Sequence, residues 1–215
     1  MAELDLTAIA GSAIATPAAG VLALFAETTT KRPNTKNDAG VIEQLVAGAM
    51  AQAVADQVGF AADTYLTGSS IALGPVSPLK IGSRYRLRFD VTKTAAGVAT
   101  PIIIVRFGVA GTVADAARLT FTFNAQTAVV DNGQFDLELL FRSVGAAGVL
   151  KGLGTLRHNL AVTGLGSVNP AGFQQLNVTS AGFDMTVANS IIGVSVNGGA
   201  AAAWTITLAS SEILY

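Results

Sequence analysis

The chain contains no cysteine, which excludes disulfides, thiolate catalysis and every cysteine-based metal site but leaves the redox compartment open. Histidine is nearly absent too, with His158 in TLRHNL as the single example. One imidazole cannot build the usual multi-histidine metal site. As a base it needs a nucleophile and an orienting group that its neighbours in sequence do not supply, so it reads as structural. Charge is the third scarcity: Asp, Glu, Lys and Arg make up 13% of the residues, against roughly 25% in an average soluble domain. With 13 basic and 14 acidic residues the net charge is −1. Nothing in that balance steers the molecule toward nucleic acid or an anionic membrane. Aromatic residues, at 7%, are too few for a stacked sugar or base platform to be visible.

What is abundant is small and apolar. Hydrophobic residues make up 51% of the 215, and the mean hydropathy is +0.52. That length allows one good-sized core plus an appendage. So much apolar surface is hard to hide within one subunit, and obligate interfaces are the charge-poor surfaces that would absorb it, so an oligomer is expected. Leu6 to Ala26 carries no charge and on length alone is a membrane-span candidate. Ser12, Thr16, Pro17, Gly11 and Gly20 interrupt it, and Glu3 and Asp5 stand where a signal peptide needs basic residues. It reads instead as an extended arm packed against a partner.

Periodicity divides the chain into residues 1–57 and 58–215. In the first part Val21 to Glu27 (VLALFAE) alternates like a strand, and the polar run Thr28 to Gly40 reads as a turn. Val41 to Leu45 (VIEQL) either closes a hairpin with that strand or opens a short helix running to Gln57, since Ile42, Leu45, Val46, Ala49, Met50, Ala53 and Val54 recur at helical spacing. The second part is a succession of strands. Arg84 to Val91 (RYRLRFDV) places Tyr85, Leu87, Phe89 and Val91 on one face and Arg84, Arg86, Arg88 and Asp90 on the other. Gln134 to Phe141 (QFDLELLF) turns Phe135, Leu137, Leu139 and Phe141 inward and Asp136 and Glu138 outward. If the two strands are neighbours, the arginines and the acids pair across them. Further strands are expected at Ile102–Phe107, Arg118–Phe123, Leu153–Leu160, Phe173–Val178, Ile191–Val196 and Trp204–Leu208, with Gly or Asn at the joints. The fold class is therefore mainly β: a jelly-roll-like antiparallel β-sandwich preceded by an extended N-terminal arm and a short helix.

Catalytic equipment is not evident. Asp136 and Glu138 could serve as paired carboxylates for sugar hydrolysis, but the arginine row explains them without chemistry. The glycines of GLGTL at Gly152 and GLGSVN at Gly164 lack the helix and the Lys-Ser/Thr ending of a phosphate loop and read as bends or turns. Asn177-Val178-Thr179 matches a glycosylation acceptor too short to weigh. Trp204 alternates inward with Ile206 and Leu208, a core position. No enzyme activity, cofactor or metal is expected.

The segments VLALFAE, KRPNTKNDAG and VIEQL resemble the entry segments of phage fibre and decoration proteins. QVGFAADTYLTGSSI, IGSRYRLRFDVTKTAAGVATP, VRFGVAGTVADAARLTFTF and SAGFDMTVANSIIGVSVNGGAAAAWTIT resemble a β domain recurrent in phage structural proteins. The whole chain is thus similar to the small β-structured virion proteins of tailed bacteriophages that decorate capsids or form short fibres. The resemblance implies a homotrimer on the capsid or tail surface and a particle-binding N-terminal segment, with Leu22, Leu24, Phe25, Ile42 and Leu45 as attachment residues. It implies an outward β domain, the major capsid protein or another virion protein as partner and, for a tail-fibre module, a host surface glycan. It transfers no catalytic residue.

Overall fold

The structure, a computed structural model, describes residues 8–10, 13–21, 23–27, 33–36, 38–40, 42–44, 48–74, 77–166, 172–199 and 203–215. The chain divides into two compact units, Met1–Gly48 and Ala49–Tyr215.

In the first unit, β1 (Ala8–Ile9), β2 (Ala23–Glu27), β3 (Pro33–Lys36) and β4 (Ile42–Gln44) form a four-stranded sheet in chain order. β1 runs parallel to β2, and the other pairs are antiparallel. VLALFAE and VIEQL therefore do not pair directly. PNTK, expected as part of a turn, is the strand between them, with Thr35 opposite both Leu24 and Glu43. Its Lys36 is buried and donates from Nζ to the Ile14 carbonyl at 2.6 Å.

The short helix is not formed among the described residues. Ile42–Gln44 is β4, and the stretch beyond it gives β5 (Gly48–Gln52) and β6 (Gln57–Val58). A small-residue stripe of a few turns is a marginal helix, and Gly48 lowers its propensity further, by about 1 kcal/mol relative to Ala. A sheet edge offers the same backbone a continuous row of partners, and Ala53 N–H donates to the Ala209 carbonyl at 2.8 Å.

The second unit is a sandwich of two antiparallel sheets. It continues with β7 (Thr64–Tyr65), β8 (Ile71–Ala72), β9 (Arg84–Lys93), β10 (Ile102–Gly108), β11 (Ala116–Thr122) and β12 (Asp131–Ser143). It ends with β13 (Val149–His158), β14 (Phe173–Thr179), β15 (Ile191–Asn197) and β16 (Trp204–Leu214). The larger sheet runs β14-β13-β12-β9-β16-β5 with β6 also on β16, and the smaller runs β11-β10-β15-β7 with β8 also on β15. Every strand expected in this part is present within a few residues; in β9 and β12 strict alternation leaves one way to bury the apolar face.

The core lies between the sheets. Tyr85, Leu87, Phe89 and Val91 of β9 are buried, as are Phe135, Leu137, Leu139 and Phe141 of β12. Phe89 stacks on Phe135 with centroids 5.0 Å apart, and Phe135 also meets Phe123 at 5.1 Å and Trp204 at 5.3 Å. Each such side chain, fully buried, contributes about 1.5–3 kcal/mol. Trp204 is buried as expected; Leu208 is half-exposed because a register shift between Ile206 and Leu208 turns it out of the alternation. Gly152 and Gly154 are not bends: they lie within β13, where an added Cβ would come within 2.6 Å and 2.7 Å of the Phe121 ring of the opposite sheet.

Candidate functional site

The outward residues of β9, β12, β13 and β16 build a strongly polar surface on the larger sheet. Antiparallel register sets Glu138 beside Arg86 and Asp136 beside Arg88, and Glu212 beside Arg86 on the other flank. Because side chains of paired residues share a face, the charges fall into rows across the sheet. Glu138 Oε1 lies 3.2 Å from Arg84 and 3.6 Å from Arg86, and Arg86 reaches Glu212 at 3.6 Å. Gln134 Nε2 donates to Asp90 Oδ1 at 2.7 Å. The pairing anticipated between the two strands is thus realised, and Glu212, not anticipated, extends it onto a third.

This face holds a depression of about 590 Å³ lined in part by Arg86, Arg88, Gln134, Asp136, Glu138 and Arg157. Arginine donors and carboxylate acceptors alternate along it, a surface suited to hydrogen bonding with polyhydroxylated or mixed-charge ligands. Asp136 and Glu138 share the face, but Glu138 is already engaged by two guanidinium groups.

A second polar cluster is buried at the end of the sandwich. His158 Nδ1 donates to Asp131 Oδ2 at 2.8 Å, both side chains being fully buried. The same oxygen accepts from Leu165 N–H at 3.0 Å, and Oδ1 accepts from Asn132 N–H at 2.8 Å. His158 therefore does have a carboxylate partner, brought to it across the β12–β13 pairing from 27 residues away. No spacing pattern signals that contact. Nε2 of His158 and Nε2 of Gln174 are buried without partners near Gly166. An aspartate–histidine pair needs a nucleophile to act in acyl transfer; nearby, the Thr127 hydroxyl accepts from Gly164 N–H.

Two further buried side chains belong to the same end. Lys93 donates from Nζ to the carbonyls of Thr94, Thr127 and Val129 at 2.8–3.2 Å. Burial lowers its pKa from the usual lysine value, and the nearby Asp131 opposes that shift. Gln126 donates to the carbonyls of Ala99 and Gly198 and accepts from the Trp204 indole at 2.7 Å. On the smaller sheet Arg106 is bound by Asp63, Ser195 and the carbonyls of Val113 and Asp115. Among the described residues no group of three or more His, Cys, Asp or Glu is placed to hold a metal ion. Among the described residues no helix is long and apolar enough to cross a membrane.

Of the attachment residues, Leu24 (44% exposed) and Ile42 (43%) present apolar side chains to the surface of the first unit, whereas Phe25 is buried at 3%. Alternation puts Leu24 on one face of that sheet and Phe25 and Ile42 on the other. Leu22 and Leu45 lie outside the described residues.

No protein-family model matches the chain, and no curated protein matches it. Among solved structures it is similar to the metal-free form of lectin I-B4 from Griffonia simplicifolia, at TM-score 0.34 and 10% identity, over 90% of this chain and 91% of that one. It is also similar to a structure of infectious bursal disease virus, Gx strain, at TM-score 0.20 and 13% identity, over 92% of this chain and 46% of that one. Likeness at this level carries no argument about function, and the sandwich is defined by its own sheets and core.

Proposed function

We propose that the chain is a structural protein of a tailed-bacteriophage virion, a capsid-decorating (cement) or head-fibre protein. Its first unit attaches to the major capsid protein or another virion protein, and its sandwich serves as the outward domain of a homotrimer. The observation that carries this reading is the division into two compact units, the first of which exposes Leu24 and Ile42 from its strands. Burying apolar side chains of that kind on a partner stabilises the assembly by about 25 cal/mol per Å² removed from water, with no chemistry required. A non-enzymatic role is supported by the sandwich itself, where Glu138 is held between arginines and the Asp131–His158 pair serves the fold.

Removing residues 1–48 tests the assignment. The shortened chain should lose binding to particles that lack the protein while keeping its β-sheet circular dichroism. Retained particle binding would sink it.

The depression on the larger sheet favours a second reading, a short tail-fibre or receptor-binding module that recognises a host surface glycan. Alternating donors and acceptors suit vicinal hydroxyls. Under this reading the purified protein binds host cells and blocks infection, and Arg88→Ala with Arg157→Ala weakens that binding. Occupancy of capsid sites without cell binding decides for decoration.

A further inference from the structure

The charge rows on the outer face of the larger sheet are satisfied at one level and left open at the next. Register sets Leu153, Glu138, Arg86 and Glu212 in one row across β13, β12, β9 and β16. There Arg86 stands between two carboxylates and pairs with both. The adjoining row is Thr155, Asp136, Arg88 and Ser210. Arg88 has a carboxylate on one side only, and among the described residues neither it nor Asp136 forms an ion pair. In the row beyond, Arg157 is opposite Gln134, whose amide is committed to Asp90 at 2.7 Å. Arg157 is likewise without an ion-pair partner among the described residues.

Arg88, Arg157 and Asp136 line the same depression. Arg84 and Arg86 balance Glu138 and Glu212, so these three leave it with an excess of one positive charge. Arg157 and Gln134 also line a second depression of about 440 Å³, whose walls include Thr92, Asn132, Asn159 and Thr207. The two depressions therefore meet at Arg157, one holding the unpaired charges and the other offering amides and hydroxyls.

We infer that the paired depressions take an acidic oligosaccharide, with a carboxylated sugar unit seated between Arg88 and Arg157 and a neighbouring unit over the amides and hydroxyls. A guanidinium presents its N–H donors in a planar fork that matches the two oxygens of a carboxylate. A singly charged unit cancels the excess charge of the site. Asp136, when ionised an acceptor only, is left to take the sugar's hydroxyls. A more highly charged polyanion meets Asp90, Asp136, Glu138 and Glu212 on the same face as like charge, which opposes association. The inference names the ligand class for the depression of the second reading above and rests on that reading for there being a glycan at all.

Isothermal titration of the full chain tests it, with tetragalacturonate and sialyllactose each set beside an uncharged counterpart, methyl-esterified tetragalacturonate and lactose. At least one acidic probe should bind, and its counterpart should bind about 10-fold more weakly or worse, because hydrogen bonds to charged groups are the stronger ones. Arg88→Gln and Arg157→Gln, both at exposed positions, should each weaken the acidic probe by about 10-fold, with circular dichroism unchanged. Arg142→Gln removes the same charge from an exposed position on β12 outside both depressions and should leave binding intact. A neutral probe bound as tightly as its acidic counterpart overturns the acidic class and leaves the glycan reading standing. Acidic binding indifferent to both Arg88→Gln and Arg157→Gln overturns the site. No binding of any probe at millimolar concentration overturns the inference and the glycan reading together.

Discussion

Gly152 shows how much one hydrogen atom in place of a methyl group decides. An alanine there would place its Cβ 2.6 Å from the Phe121 ring and 2.9 Å from Leu139, so the two sheets would have to part locally. Gly152→Ala should cost about 1–3 kcal/mol in urea unfolding, as overpacked cores do. At Gln126 the problem is an orphaned group. Gln126→Ala would leave the buried Trp204 N–H and two carbonyls without their partner, a loss of about 1–3 kcal/mol per unsatisfied group. The tyrosines set an alkaline limit: burial raises the phenols of Tyr85, Tyr65 and Tyr215 above their ordinary value. Below about pH 10 they are neutral in both states and stability is complete; above it the unfolded phenols ionise first, so stability falls as pH rises. Lys93, lowered by burial, acts in the opposite sense, and its contribution is complete once pH passes the ordinary lysine value of about 10.4. Thermal midpoints should therefore decline above about pH 10, and less steeply in Tyr85→Phe. That variant also gives up the hydrogen bond to the Ser69 carbonyl at 2.6 Å, a constant offset of about 1 kcal/mol.

Among the elements, β9 and β12 were the most legible, because RYRLRFDV and QFDLELLF each sort apolar from charged residues with a period of two; their adjacency, on which the arginine–acid pairing depended, came from the structure. Residues 41–57 were the least legible. Their apolar residues recur at helical spacing, yet residues 48–52 are a strand, and that form depends on the edge of β16, which no local pattern contains. The stretch 158–166 shows the same dependence on distant residues, since Asp131 on β12 holds both Leu165 and His158. Asp131→Asn would remove the charge-assisted bonds and should cost about 2–3 kcal/mol, with a matching drop in hydrogen-exchange protection at Leu165. By contrast, the exposed row of Arg84, Arg86, Glu138 and Glu212 should contribute about 0–1 kcal/mol per pair. Arg86→Ala is expected to leave the urea midpoint nearly unchanged.

For the molecule as a whole, the two units assign different jobs to different parts of one chain. Trp204, the single tryptophan, lies in the core of the second unit, so its emission reports the sandwich by itself. Removing residues 1–48 should leave that emission, and its urea transition, where they are in the full chain. The sequence by itself determined the mainly β class, the positions of the sandwich strands, the inward faces of β9 and β12, the absence of cysteine chemistry and the shortage of charge. These are properties of local alternation and composition, which any fold of this chain must accommodate. Only the tertiary structure decided that PNTK is a strand, that residues 48–52 join a sheet edge, that Gly152 and Gly154 are contact points between sheets, and that His158 meets Asp131. Antiparallel strands return the chain to the same end at each pass, which brings Asp131 to His158 from 27 residues away, and no linear pattern records which ends coincide.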